Sequence, residues 1–325
     1  MKKLKQELKD NILAPCYLVV GPEDYLRKSC REALRRKVCG DDTMNFTYRE
    51  GRGFEIAELR EIAQTLPFLA PRRLIMLENT GLLKKGGEEL AELLTELPPE
   101  TILVMVEEES DKRSKLYKAF AKLGRVVECG FLSEEEYRAA AQSMFRQGGY
   151  TIDRDALDLL LERCGGEMNT LSGESEKLMA YCLDKKAVSL EDVERITSVT
   201  LQGRIFSMID AMALGRPREA YLLYEELRAL REPPLRILYL ITQQVERILA
   251  VKELGERGLS TAAIAETLGV KPYAVGKYAH QARAFSREGW QMRLEHCLNY
   301  DHAVKRGDLS DQMAAELALV EMSSR

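Results

Sequence analysis

Short apolar runs alternate with segments of helical spacing in the first part of the chain. Four runs have the length and composition of buried strands: residues 16–20, 73–77, 101–106 and 126–127. Segments with helical spacing lie between these runs: residues 25–38, 56–64 and 88–97. Strands that alternate with helices predict an α/β domain in which helices cover a mostly parallel sheet.

The pattern changes after Phe131, where the strand-like runs stop and helical spacing continues. Ser133 is followed three residues later by Glu136, and Ser189 by Asp192, which is the capping-box signature of a helix start. Two more helices and a long all-helical region complete this part: residues 153–164, 170–183 and 202–325. The prediction is a small helical domain followed by a larger all-α domain.

Composition and charge argue against several classes of protein. The 325 residues carry 48 basic and 52 acidic side chains, a net charge of −4, whereas proteins that bind duplex DNA alone usually have a clear basic excess. The seven cysteines occur singly and the histidines lack ligand spacing, so we expect no disulfide framework and no metal site. No signal peptide or membrane-length apolar stretch is recognised, which favours the cytoplasm and no membrane partner.

The turn after the first strand lies where a nucleotide-binding domain carries its P-loop. A P-loop needs a second glycine, a lysine and a hydroxyl residue to hold phosphates and Mg²⁺. Counting from Gly21, this chain has Leu26, Arg27 and Lys28 at those three positions, and two acids in the turn would repel phosphate. The sequence therefore predicts a degenerate P-loop and no cofactor. Because no Ser-His-Asp or Cys-His arrangement has local support, we expect no catalytic residue.

An apolar segment joins the helix at residues 56–64 to the next strand. It runs from Leu66 to Pro71, and Pro67 and Pro71 stop helix propagation and stiffen its tip. Phe68 and Leu69 could then project from the tip, and burying each in a partner would contribute about 1.5–3 kcal/mol. The alternative is that both side chains face the core of their own domain, where apolar residues usually lie.

Residues 259–278 have the spacing of a helix-turn-helix motif. A DNA-binding interpretation would place Lys271, Tyr273 and Lys277 in the major groove. This helix offers no arginine or asparagine for base recognition, so we favour a helical pair packed inside a bundle.

An ordered set of segments resembles the delta subunits of bacterial DNA polymerase III across nearly the whole chain. The segments are residues 16–21 with Glu23 and 25–26, 65–69 with 72–74, 115–118 with 126–127, Glu174 with 176–178, 233–234, 269–270, 272–273, 281–283, 285–286, Asp301, Lys305 and Gly307. The resemblance implies an AAA+-like clamp-binding domain at residues 1–140, a helical lid at 141–208 and a helical collar at 209–325.

The resemblance also implies a function. Members of this family are non-ATPase subunits of a clamp-loader heteropentamer that bind and open the sliding clamp (beta) for loading onto primed DNA. The implied clamp-binding residues are Leu66, Pro67, Phe68 and Leu69. The collar would join the motor subunits and delta-prime, and primer-template DNA would be a partner within the complex, with Arg72 and Arg73 as candidate contacts.

Two other functional classes stay open at this point. An active AAA+ ATPase would share the predicted architecture, but the degenerate P-loop argues against it. A helix-turn-helix regulator is disfavoured by the balanced charge of the C-terminal region.

Overall fold

The computed structural model describes residues 2–199 and 201–323. The chain folds as two units, Met1–Phe131 and Leu132–Arg325, which are called here the N-terminal and C-terminal units. Both the predicted lid and the predicted collar belong to the C-terminal unit. The three-domain boundaries at residues 140 and 208 therefore stay predictions.

Five parallel strands form the sheet of the N-terminal unit, in the order β2-β3-β4-β1-β5. Their bounds are β1 Cys16–Val20, β2 Phe46–Glu50, β3 Arg73–Glu78, β4 Thr101–Glu107 and β5 Arg125–Glu128. The central strands β1 and β4 are buried along their whole length, as their uninterrupted apolar runs predict for a sheet covered on both faces.

Five helices cover the sheet: α1 Lys2–Asp10, α2 Asp24–Val38, α3 Ile56–Gln64, α4 Glu88–Leu93 and α5 Lys115–Leu123. Alternate side chains of β1 point to opposite faces, so Leu18 packs with α3, α4 and α5 while Tyr17 packs with α1 and α2. The predicted α/β domain with a parallel sheet is confirmed.

Local predictions for this unit were incomplete in four places. The edge strand β2 was missed because it pairs on one side only and its sequence mixes apolar with polar residues. Helices α1 and α5 were also not predicted. Helix α4 ends at Leu93 rather than residue 97, because the chain tightens there into bonds from Thr95 N to Glu92 O and from Glu96 N to Leu93 O.

The first half of the C-terminal unit contains α6 Glu134–Gly148, β6 Thr151–Ile152, α7 Arg154–Cys164, α8 Met168–Tyr181, β7 Ala187–Val188 and α9 Leu190–Ile196. Both predicted capping boxes form, at Ser133 with Glu136 and at Ser189 with Asp192. The prediction that strands stop after Phe131 is wrong, since β6 and β7 pair in parallel. Two residues per strand are too few to produce a recognisable period.

The second half is helical, as predicted. It contains α10 Leu201–Ala213, α11 Pro217–Ala229, α12 Pro234–Glu256, α13 Thr261–Leu268, α14 Pro272–Gln281, a 3₁₀ turn at Ala282–Ala284, α15 Arg287–Arg306 and α16 Asp311–Ser323. The fully buried Trp290 and Tyr224 lie in its core. Among the described residues, 2–199 and 201–323, no helix is long and apolar enough to cross a bilayer.

Candidate functional site

The segment between α3 and β3, residues 65–72, is called here the tip loop. Its apolar side chains face solvent: the exposed fractions are 72% for Leu66, 58% for Phe68 and 92% for Leu69, while Pro67 is half-buried. The alternative in which Phe68 and Leu69 face the core of their own domain is therefore wrong. Solvent-exposed apolar groups clustered on one loop are typical of a binding surface.

A buried asparagine fixes the backbone of the tip loop. Asn45 is fully buried, its Nδ2 donates to the carbonyl oxygen of Phe68 at 2.9 Å, and its Oδ1 accepts from the N–H of Phe68 at 2.7 Å. The same Nδ2 donates to Asp42 at 2.6 Å, and this bond is the largest cause of the lowered pKa of the Asp42 carboxyl. Asn45 was not predicted as a site residue, because its partner lies 23 positions along the chain and no local pattern indicates the pairing.

The guanidinium of Arg73 bonds the other side of the tip loop. Its Nε donates to the carbonyl oxygen of Thr65 at 3.2 Å, and its Nη2 donates to that of Leu66 at 3.4 Å. Arg72 and Arg73 are both half-buried. The structure thus gives Arg73 a role in holding the loop, whereas the DNA contact predicted for both arginines stays a prediction.

Leu69 has a left-handed backbone with φ of 51°, at the tip of the loop. Residues other than glycine, asparagine and aspartate rarely adopt this conformation, which costs a leucine about 1–2 kcal/mol. Such strain persists only where the surrounding structure imposes it, and it is concentrated at functional sites. Glycine would adopt this left-handed backbone without strain, but the chain has a leucine here, and its large apolar side chain lies in solvent.

Two backbone N–H groups of the turn after β1 donate to carbonyl oxygens of neighbouring strand ends. The N–H of Gly21 donates to the carbonyl oxygen of Glu107 at 3.2 Å, and that of Glu23 to the carbonyl oxygen of Cys129 at 3.0 Å. Pro22, between them, has no N–H. A Cβ at residue 21, where φ is 143°, would collide with the Cys129 carbonyl. Glycine at residue 21 therefore permits the close approach of the Cys129 backbone.

The three residues at the other P-loop positions have partners within the turn. Arg27 donates to the carbonyl oxygen of Gly21 and lies 3.4 Å from Asp24, and Lys28 pairs with the same carboxylate at 2.8 Å. Leu26 is half-buried against the core on the α2 face of the sheet. Asp24 begins α2, so the helix N-terminus that would attract phosphate carries a carboxylate of its own.

Glu107, at the end of β4, is a buried carboxylate that hydrogen-bonds the residues following β3. It accepts hydrogen bonds from the backbone N–H of Thr80 at 2.7 Å and from its hydroxyl at 2.6 Å, and it also bonds Gly81 N. Within the part of the chain that the structure describes, no group of three or more His, Cys, Asp or Glu side chains could hold a metal ion.

The candidate recognition helix α14 faces protein rather than solvent. Lys271 bonds the carbonyl oxygen of Gly166 at 3.3 Å, the hydroxyl of Tyr273 donates to Leu161 O at 3.1 Å, and Lys277 donates to Glu162 O at 3.4 Å. Leu161 and Glu162 lie in the last turn of α7, and Gly166 lies two residues beyond its end at Cys164. The three side chains proposed for the major groove therefore contact the backbone at the C-terminal end of a neighbouring helix and the residues that follow it, as expected for a pair packed within a bundle.

Comparison with known proteins agrees with the geometry. A family model described as "DNA polymerase III, delta subunit" matches residues 17–130, and one described as "DNA polymerase III delta subunit, C-terminal domain" matches residues 202–322. Together they cover more than half of the chain. The DNA polymerase III subunit delta of Bacillus subtilis is 27% identical over 339 aligned positions, covering 98% of this chain and 96% of the relative.

A solved structure, the Bacillus subtilis DNA clamp loader delta protein, matches with a TM-score of 0.79 at 26% identity and covers 100% of this chain and 99% of its own. The similarity thus includes both units and the tip loop between α3 and β3. With two family models, a full-length relative and a full-length structural match in agreement, this chain belongs to the delta subunit family of the DNA polymerase III clamp loader.

Proposed function

We propose that this chain binds the sliding clamp through its tip loop and opens the ring for loading onto primed DNA. The observation that carries the proposal is the exposure of Phe68 and Leu69 on a loop whose backbone is fixed by buried Asn45. A preorganised loop loses little conformational entropy on binding, so most of the apolar burial contributes to affinity. Adjacent large apolar side chains that enter a pocket are typical interface hot spots.

Clamp opening follows from differential affinity. If the tip loop binds a clamp protomer more tightly when the ring interface is open, the bound population shifts towards the open ring by that difference. No chemical step is needed on this chain, and ATP hydrolysis would take place on the motor subunits. We accordingly propose an accessory, non-catalytic role in the cytoplasm, with no cofactor on this chain.

The remaining partners would bind elsewhere. Apolar side chains are exposed on the C-terminal helices, among them Leu222 on α11 and Tyr239 on α12, at 58% and 61%. Exposed apolar area on these helices supports joining to the motor subunits and delta-prime through the predicted collar. Primer-template DNA would be shared with those subunits, which agrees with the net charge of −4, since an isolated duplex-binding protein needs a basic excess.

The test is binding of the full chain to the sliding clamp of the same organism, without ATP. We expect Phe68→Ala/Leu69→Ala to weaken binding at least about tenfold, or roughly 1.4 kcal/mol. The matched control is Leu222→Ala/Leu230→Ala, which removes two leucines of similar exposure from the C-terminal unit and should leave clamp affinity unchanged. Equal binding by the tip-loop variant and wild type would refute the tip loop as the clamp contact. Failure of the folded wild type to bind would refute the clamp function.

A further inference from the structure

A short stretch of the N-terminal unit is strongly basic in a chain that is acidic as a whole. Among residues 112–125 six are Lys or Arg and none is Asp or Glu, whereas the whole chain has a net charge of −4. This stretch includes helix α5, whose nine residues contain no acid. Like charges placed side by side repel one another, so an anionic partner would stabilise a local excess of basic side chains.

Three lysines of α5 form one exposed row. Leu116 and Phe120 are buried in the core and fix the inner side of the helix, so Lys115, Lys118 and Lys122 face solvent. The spacing of three and then four residues keeps all three on a single helical face. This row is called here the α5 lysine face.

Neighbouring basic side chains form ion pairs, whereas the three lysines of the α5 lysine face form none with the residues that the structure describes. Lys112 pairs with Glu128 at 2.7 Å, and Arg113 pairs with Asp111 at 3.1 Å. In the described ranges 2–199 and 201–323, no carboxylate forms an ion pair with the three lysines, although the adjacent helix α4 carries exposed glutamates. The Lys118 charge acts on the Asp111 carboxyl only as the smallest cause of its lowered pKa, and Asp111 is paired with Arg113. The charge of the three lysines is therefore largely available to a ligand.

Helix α2 is also rich in basic residues, but its charges are largely satisfied. Lys28 pairs with Asp24, Arg31 bonds Glu78 at 2.7 Å, and Arg35 lies 4.6 Å from the centre of the Phe46 ring. The basic residues of its last turn complement the negative end of the helix dipole. The α5 lysine face is the stronger candidate for an external anion.

We propose that the α5 lysine face contacts the phosphate backbone of nucleic acid. Lys115 and Lys122 are seven residues apart, so the row spans about 10 Å at a rise of 1.5 Å per residue. One strand of duplex DNA places a phosphate about every 3.4 Å along its axis, so a row of this length matches about three phosphates. Lysine is a point charge without planar recognition geometry, which fits backbone contact rather than base recognition.

The lysine spacing and charge support a phosphate backbone of any nucleic acid, independently of the proposed clamp-loading function. The choice of primer-template DNA as that nucleic acid rests on the proposed function. Three phosphate contacts give weak binding on their own, and the contact would act together with those of the other loader subunits. The clearest signature is the salt dependence, because the logarithm of the affinity falls with the logarithm of salt concentration by about 0.9 for each phosphate neutralised.

The experiment measures binding of the full chain to a fluorescent primer-template duplex by anisotropy, between about 50 and 200 mM salt. The variant Lys115→Gln/Lys118→Gln/Lys122→Gln removes the charge with a residue that is also a good helix former. We expect the salt slope to fall by about 2.7, so that doubling the salt weakens the wild type about sixfold more than the variant. Circular dichroism would verify that the variant is folded, and Lys118→Glu alone should weaken binding in the same direction.

The matched control is Lys3→Gln/Lys5→Gln/Lys9→Gln, which removes three exposed lysines from α1, a helix of the same length in the same unit. Its salt slope should equal that of the wild type. Equal losses in both triple variants would indicate a general charge effect and overturn the proposal, as would undetectable wild-type binding at low salt. Retained DNA binding with weakened assembly of the loader would assign the face to an acidic protein surface and would also overturn it.

Clamp affinity separates this proposal from the proposed function. The α5 variant should bind the clamp as tightly as the wild type, while the tip-loop variant should keep the wild-type salt slope with DNA. Loss of clamp binding only in the tip-loop variant, with an unchanged DNA slope in the α5 variant, would refute the α5 lysine face and leave the clamp function intact.

Discussion

The side-chain amide of Asn45 hydrogen-bonds both the N–H and the carbonyl oxygen of Phe68, at 2.7 and 2.9 Å. Asn45 precedes the edge strand β2, and Phe68 lies in the loop before β3, the strand that pairs with β2. The Asn45 carbonyl oxygen also accepts from Leu74 N at 2.9 Å, so Asn45 bonds both the tip loop and the strand that follows it. An exposed apolar loop thus obtains its rigidity from a buried polar group that a binding partner cannot reach.

Asn45→Ala should weaken clamp binding although Asn45 itself is buried. Removing the amide leaves two backbone groups of Phe68 without their partner, and each lost bond costs about 0.5–1.5 kcal/mol. The freed loop must then be ordered on binding, so we expect clamp affinity to fall about tenfold by surface plasmon resonance.

The control for Asn45→Ala is Thr80→Val, which removes a buried hydrogen bond to Glu107 beyond the opposite end of β3. This control should lower the free energy of unfolding without changing clamp affinity. If both variants reduce clamp affinity in proportion to lost stability, Asn45 has only a general structural role.

Leu69→Asn should separate clamp binding from folding. Asparagine tolerates the left-handed backbone at φ of 51° better than leucine, so the free energy of unfolding should stay within about 0.5 kcal/mol of wild type or rise. Clamp affinity should fall at least about tenfold because the apolar anchor is lost. Ile12→Asn, at a residue that is 72% exposed in the same unit, should leave clamp affinity unchanged. A clamp affinity equal to wild type in Leu69→Asn would remove Leu69 from the interface.

Local signals accounted for much of the fold. The bounds of β1 and α3 were predicted exactly from an apolar run and a helical period, and both capping boxes were located from residue pairs three apart. These features depend on residues close together in sequence. The edge strand β2 and the two-residue strands β6 and β7 depend on pairing partners that are distant in sequence. The pattern of apolar and polar residues therefore did not predict them.

The candidate site was predicted in part for the same reason. The prolines around Phe68 and Leu69 predicted a stiff projecting segment, but the sequence alone left exposed and core-facing orientations open. Asn45 had no signal of its own, because its importance comes from a bond to a residue 23 positions away. The departure of the turn at Gly21 from the P-loop pattern was recognisable in the sequence, since a P-loop is defined by residues close together in the chain.

The isolated chain should show no saturable binding of Mg-ATP by isothermal titration calorimetry. The N–H groups of Gly21 and Glu23 are bonded to carbonyls of neighbouring strand ends and Pro22 has no N–H, so these three positions offer no backbone donor to a phosphate. For this reason Leu26→Gly/Arg27→Lys/Lys28→Thr, which restores the three missing residue types, should also fail to bind. A dissociation constant below about 100 μM for the wild type would overturn this account and favour an active ATPase.

Asp192→Asn should destabilise the C-terminal unit in a pH-dependent way. Burial opposes ionisation of Asp192, but hydrogen bonds from Lys185 at 2.6 Å and from Ser189 at 2.6 and 2.8 Å outweigh it and lower the pKa of this carboxyl. Asparagine keeps one acceptor oxygen but removes the negative charge that strengthens these hydrogen bonds, which costs about 1–2 kcal/mol. At neutral pH, urea unfolding followed by circular dichroism should show the variant less stable by this amount.

The sign of the pH dependence follows from the depressed pKa of Asp192. The stabilisation is fully present above the unfolded-state pKa, whose ordinary value is 3.8, and is lost as the pH falls towards the lower folded-state pKa. The stability difference between wild type and Asp192→Asn should therefore stay constant from about pH 8 to pH 5 and shrink only below about pH 4. Asp184→Asn, at an exposed carboxylate between α8 and β7, should show no such difference. A difference that shrank between pH 7 and 5 would mean that a group other than this carboxyl is titrating.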